Sequence, residues 1–296
     1  MKVEDLQLVS NYKDDAKKRK SFNDLAILTF GISFEEWYQK GFWNERYIPY
    51  SFVQGDQVIA NVSVNLIDLV IDGQLRMAVQ VGTVMTHPDY RNQGLSSRLM
   101  KKVLQEYEDA CDFFYLFANQ SVLDFYPKFG FQEVKEQTYS MSYSPPYPYL
   151  YSKLKKLDGT NLRDLSCIYE FAADRVSASE KFGAINAHGI LMFHCLYDFP
   201  DDIYYIQEDD CIVIFKQQGG TLHLYDIISK EQVQLEKILP KIANGNDLTI
   251  IFHFTPELTE WPMRSERLNG DDVLYVKSTG NGAYPELVKH PVVSQA

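Results

Sequence analysis

Alternation of apolar and polar residues is cleanest from Val58 to Leu66, where Val58, Ala60, Val62, Val64 and Leu66 point one way and Asn61, Ser63 and Asn65 the other. That is the pattern of a half-buried strand. Asp72-Gly73 follows between two extended runs, and such a pair favours a tight hairpin because both turn positions need positive φ. Val58 to Ile71 is therefore expected to pair antiparallel with Gln74 to Thr86. The second of these strands is apolar on both faces, as a central strand would be.

The pattern then changes period. The strand-like run Val79 to Met85 breaks at His87-Pro88, a polar loop spans Asp89 to Gln93, and from Gly94 the apolar residues Leu95, Leu99 and Val103, with Met100, Leu104 and Tyr107 beside them, recur at helical spacing. A helix entered directly from the end of a strand directs its unpaired first-turn amides, and the positive end of its dipole, at whatever lies beyond the strand. This makes a ready site for a phosphate or pyrophosphate.

Elsewhere Val3 to Val9 alternates weakly as an edge strand. Lys13 to Phe30 and Phe34 to Lys40 have helical character, and Trp37, Tyr38, Phe42 and Trp43 cluster near the second. Aromatic residues at helical spacing most often fill a core, with a substrate-binding wall as the alternative. Asp112 to Ala118 is a short buried strand, Gln120 to Tyr126 a helix stopped at Pro127, and Gln132 to Tyr143 a long final strand. The proline-dense run from Ser144 to Tyr149 marks a boundary, giving domains 1–145 and 146–296.

In the second half, Asn161 to Arg175 is helical. Ile190 to Tyr197 and Ile203 to Gln207 are short apolar runs. Cys211 to Lys216 and Thr221 to Ile228 flank Gly219-Gly220 as a hairpin, before a helix to Ala243 and a strand from Leu248 to Phe254. Hairpin, helix, strand repeats the order of the first half and suggests an internal duplication, without a second loop comparable to Arg91 to Ser96. The tail after Tyr284 is polar and proline-punctuated and is expected to be loose.

Composition narrows the classes. With 296 residues, 45% of them hydrophobic and 14% aromatic, the chain can build two cores. A formal charge of -11 argues against nucleic acid or an anionic membrane as partner, since both would be repelled. The N-terminus has no apolar signal region and no segment approaches the roughly 18 apolar residues of a membrane span, so a cytoplasmic protein is expected. Cys111, Cys167, Cys195 and Cys211 lack C-x-x-C spacing, and the histidines lack metal spacing; neither disulfide nor metal site is expected.

The loop and helix T-H-P-D-Y-R-N-Q-G-L-S-S-R-L-M resemble motif A of the GNAT superfamily of N-acetyltransferases, here as Arg91, Asn92-Gln93, Gly94, Leu95 and Ser96. Ser96 stands where the family has Gly or Ala. Downstream, Asn119 and Tyr126 in N-Q-S-V-L-D-F-Y-P-K-F-G-F resemble the family's second signature. The resemblance implies a mixed-sheet α/β GNAT fold followed by a degenerate GNAT-like domain, with acetyl-CoA as co-substrate. It assigns the pyrophosphate to Arg91, Asn92, Gln93, Gly94, Leu95, Ser96 and Ser97, and the oxyanion donor to a strand amide among Val84, Met85 and Thr86. Asn119 would meet the pantetheine arm, and Tyr126 would protonate the departing thiolate. The triphosphate loop G-x-x-x-x-G-K is absent.

The enhanced intracellular survival acetyltransferases are the most similar group. Those proteins add a sterol-carrier-like third domain, for which this chain is too short, and a free C-terminal carboxylate reaches their active site. Many GNAT enzymes also carry a glutamate base on the strand before the loop, where this chain has Gln80. The base is left open, with Glu35, Glu36 or Asp68 acting through water as candidates. His87 is read as shaping the loop, and Arg98 as a residue that reaches toward the adenosine end. The expected activity is acetyl transfer to a primary amine of a small molecule or peptide. The alternative is a non-catalytic acyl-CoA sensor. The second domain is left open between a lid, a dimer interface in a homo-oligomer and a remnant.

Overall fold

The computed structural model describes residues 6–145, 154–257, 261–280 and 282–296. Much of the expected proline-rich linker, residues 146–149, lies outside them, as do residues 3–5 of the first expected strand.

The first part of the chain runs β1 (Gln7–Ser10), α1 (Ala16–Phe30), α2 (Glu35–Gln39), β2 (Tyr47–Gln54), β3 (Gln57–Ile71), β4 (Gln74–Thr86), α3 (Leu95–Tyr107), β5 (Phe113–Asn119), β6 (Gln132–Val134) and β7 (Gln137–Tyr143). It continues with β8 (Leu154–Leu157), α4 (Leu162–Ala173), β9 (Phe182–Ile185), α5 (His188–Tyr197), β10 (Ile203–Ile206), β11 (Cys211–Gln218), β12 (Thr221–Ser229) and α6 (Leu235–Ile242). The last strands are β13 (Leu248–Phe252), β14 (Arg264–Arg267) and β15 (Asp272–Ser278).

Local chemistry explains the borders that matter. Asp15 caps α1 by accepting from the amides of Lys17 and Lys18, and Gly31, at φ 74°, ends that helix in the left-handed region. Asp72 and Gly73 turn the β3–β4 hairpin at φ 48° and 71°. The described strands form two mixed sheets. One has the order β1-β2-β3-β4-β5-β15-β6, with β9 also on β3; the other has the order β14-β7-β13-β12-β11-β10-β8. In the first, β4 runs parallel to β5, and in the second β12 runs parallel to β13 after the α6 crossover, so the hairpin, helix, strand unit is present in both halves. The molecule is thus α/β with mixed sheets and the same hairpin, helix, strand unit in each half.

The halves exchange strands. β7 pairs with β13 and β14, while β15 inserts between β5 and β6. The expected long strand Gln132 to Tyr143 is therefore two strands in different sheets, broken where Glu136 turns inward to bind Lys289 and the amide of His290. The expected helix from Gln120 to Tyr126 is instead a series of turns ending in a 3-10 turn, Tyr126–Phe129, because Asn119 captures the amide and hydroxyl of Ser121 and Pro127 follows.

One core lies between α3 and the first sheet, with Leu95, Leu99, Met100 and Val103 against Val62, Val64 and Leu116. Another joins the halves. Phe22, Trp37 and Trp43 pack with Ile190, Leu191, Ile212 and Ile214, and the Trp37 indole donates to the Gly189 carbonyl at 2.8 Å. Trp37 and Trp43 are core residues, resolving the two readings of the aromatic cluster. No described helix is long and apolar enough to cross a membrane.

Candidate active site

The site begins with a defect in pairing. Along β3, Asn61 faces Met85 while Ser63 faces Gly82, so β4 carries one extra residue between them. Thr83 takes up the bulge at φ 48°, a costly conformation for a β-branched side chain. Its carbonyl accepts from the Asn61 amide at 2.9 Å, and its hydroxyl meets that of Tyr47 at 2.6 Å. The β4–β5 pairing stops at Gln80 opposite Tyr115. Past that pair the two strands line opposite walls of a cavity of about 1040 Å³, with Gly82 to Thr86 on one side and Phe117 to Asn119 on the other.

The loop that follows closes one end of the cavity. His87 accepts from the Asp89 amide and starts a 3-10 turn, Pro88–Tyr90, as its loop-shaping reading expects. Asn92 and Gly94 both adopt positive φ, 62° and 74°, and bring the chain into α3 with no side chain capping the helix. The first-turn amides of a 13-residue helix therefore face the cavity. Thr86 and Ser96 share a hydrogen bond of 2.7 Å across the loop's mouth.

Of the residues expected from sequence, Val84, Met85, Thr86, Arg91, Asn92, Gly94, Leu95, Ser96, Ser97, Asn119 and Tyr126 all line this one cavity. Gln93 does not; its amide turns back to the Asp89 carbonyl. Arg98 is also outside, with its guanidinium over the Phe52 ring at 4.6 Å. The Tyr126 ring packs among Phe125, Phe131 and Tyr275, and burial pushes its phenol up to about 12, so it stays protonated at neutral pH.

The carboxylates considered as bases are engaged elsewhere. Glu35 is held by Arg19 at 3.0 Å, Glu36 pairs with Lys40, and Asp68 binds Arg46 and Asn186. None of them lines the cavity.

The chain's last residues enter instead, which corrects the expectation of a loose tail. Val288, Lys289, His290, Val293 and Ser294 are buried. The Val292 amide donates to the His253 carbonyl, and the buried Gln80 amide donates to the Ser294 carbonyl at 3.1 Å. His194 of α5 spans two acceptors, with Nδ1 at 2.6 Å from Asp198 and Nε2 at 2.8 Å from the Gln295 carbonyl. Ala296 then lies against Gly82, whose missing side chain leaves room: a Cβ there would sit 3.4 Å from that of Ala296.

Sequence reasoning missed His194, Asp198 and the tail. The histidine sits in an apolar helix, and its partners in the tail lie about a hundred positions away, so no local pattern joins them.

Residues 14–134 match the acetyltransferase (GNAT) domain family and are such a domain. Three solved structures share the fold across most of the chain. One is a conserved protein of Enterococcus faecalis V583, described as a probable N-acyltransferase, with 16% identity, 93% of this chain and 72% of that chain covered, and a TM-score of 0.59. Another is Eis1 of Mycobacterium abscessus, with 14% identity, 92% and 74% covered, and a TM-score of 0.56. A GCN5-related N-acetyltransferase of Kribbella flavida has 16% identity, 93% and 72% covered, and a TM-score of 0.55. At these identities the likeness is one of fold. No curated protein matches the chain.

Proposed function

We propose that this protein transfers the acetyl group of acetyl-CoA to the amine of a small molecule or peptide. The observation that carries the reading is the convergence in one cavity of an uncapped helix N-terminus, a strand end freed by the Thr83 bulge, and Tyr126. On this reading the amides of the loop and first turn of α3, with the Arg91 guanidinium, hold the pyrophosphate. Asn119 meets the pantetheine arm with its amide nitrogen, since its oxygen is taken by Ser121.

The amine nitrogen attacks the thioester carbon from the Gly82 side, and an amide of the 84–86 stretch stabilises the charge on the carbonyl oxygen. As the carbon–sulfur bond breaks, Tyr126 gives its proton to the sulfur. The proton left on nitrogen passes to water in the cavity, since Glu35, Glu36 and Asp68 are engaged elsewhere and do not line it. Residues 1–145 would then supply the donor site, while 146–296 supply His194, Asp198 and the tail.

Thiol release from acetyl-CoA against a panel of amines tests the proposal. Release with at least one amine, together with a thermal shift on adding acetyl-CoA, is the expected result. A thermal shift without release from any amine would leave an acyl-CoA-binding protein with no transfer activity. No shift at all would refute the donor site as well.

A further inference from the structure

The half of the cavity away from the pyrophosphate loop has unusual walls for an acidic protein. Phe30, Ile32 and Phe34 line it from the first domain, and Ile190 and Phe193 from α5. Phe30 and Ile32 are 42% and 39% exposed, and on the same helix end Ile27 and Leu28 reach 51% and 57%. Large apolar side chains so concentrated at one mouth mark a binding surface rather than ordinary scatter.

Charge is sparse there. Among the described residues of the cavity, the ionisable side chains besides tyrosines are Arg91, His194, Asp198 and Asp272. Arg91 belongs to the pyrophosphate loop, and Asp272 lies beside Asn119 at the donor end. Asp198 is already bound by His194. Among the described residues no unpaired carboxylate side chain is left to face the apolar cleft. A polyamine would have to bring its further ammonium groups out of water against hydrocarbon, with nothing to receive them.

We propose that the acceptor is a small amphiphilic amine, a single primary amine on an apolar body, with the nitrogen beside Gly82 and the body against Phe30, Ile32 and Phe193. This rests on the acetyl-transfer reading and narrows it, since net charge alone would favour a polycation.

The test is thiol release by the full chain at saturating acetyl-CoA, with straight-chain amines from propylamine to octylamine and with spermidine. Burial of each methylene should raise kcat/KM about threefold to fourfold. Hexylamine should exceed spermidine, and Phe30→Ser should cut the octylamine-to-propylamine ratio roughly tenfold. Ile32→Ser serves if the first variant melts early. A flat series, or preference for spermidine, overturns the proposal while leaving acetyl transfer intact. If sedimentation shows Phe30→Ser dissociating a dimer with the ratio unchanged, the patch is a subunit interface and the proposal falls. If acetyl-CoA still raises the melting temperature but no amine releases thiol, the transfer reading fails and takes this one with it.

Discussion

Replacing His194 by alanine should slow turnover without weakening the donor site. The imidazole bridges Asp198 at 2.6 Å and the Gln295 carbonyl at 2.8 Å, and its side chain is only 13% exposed. A net protein hydrogen bond contributes about 0.5–1.5 kcal/mol, and more with a charged partner. The tail would keep its upstream anchors, the Gln80–Ser294 and His253–Val292 bonds, so only the last residues would come free. Ordering backbone costs about 1–2 kcal/mol per residue, which leaves docking of the last residues marginal, so losing one bond of roughly 1.4 kcal/mol lowers the docked-to-undocked ratio of Ala296 about tenfold. Steady-state thiol release should show kcat down severalfold, at most about tenfold, with KM for acetyl-CoA unchanged. His194→Gln, which keeps a donor for the Gln295 carbonyl, should recover part of the loss. An unchanged kcat in the alanine variant refutes the positioning role. So does a kcat loss that tracks a falling melting temperature and is not restored by glutamine.

Tyr126→Phe should lower kcat on the order of a hundredfold while leaving the acetyl-CoA thermal shift intact, because a general acid acts in the transition state and the ring packing is retained; loss of the shift would make Tyr126 a packing residue. Gly94→Ala meets no atom within 4 Å, so its penalty is the positive φ alone. That is about 1 kcal/mol and should appear as a several-fold rise in KM for acetyl-CoA, with no change in KM for amine. Burial holds His253 and His290 down to about 3. Both stay neutral in the fold while the unfolded chain takes up protons near pH 6.5, so their stabilising contribution is complete above pH 6.5 and is lost as the pH falls toward 3. Each can contribute a slope of up to about 1.4 kcal/mol per pH unit. Melting curves from pH 7 to pH 5 should fall, and less steeply for His253→Gln.

The loop half of the cavity was legible because its determinants are local. Alternation in β3, Asp72-Gly73, and the change from period two to helical spacing at Gly94 each act within a few residues, and the structure follows them closely. The tail half of the cavity was not legible, because long-range pairs make it. The tail has no periodicity of its own, and its order comes from Gln80, Glu136, His194 and His253, all distant in sequence. The same holds for β15, a strand from the last part of the chain that completes the first sheet between β5 and β6. The Thr83 bulge also left no signal, since threonine is an ordinary strand residue and only its partners Asn61 and Tyr47 hold it at positive φ.

Gln80 ties these halves together. A glutamate at this point on the strand is the base that many related enzymes use, so Gln80→Glu looks like a repair. The geometry argues the opposite. Gln80 is fully buried, and its amide nitrogen donates to the Ser294 carbonyl at 3.1 Å. A carboxylate would set an acceptor against an acceptor, and among the described residues no cationic side chain bonds to Gln80. The lost bond and the unpaired buried group together cost about 1–3 kcal/mol, more if the acid is ionised. The variant should therefore take up a proton or release the tail. If the acid stays ionised the tail is released, so thiol release should fall and the tail should become more open to carboxypeptidase than in the parent chain, whereas the protonated acid can donate to the Ser294 carbonyl and hold it. A gain in kcat from Gln80→Glu would mean that a base on the strand, and not the order of the tail, limits turnover.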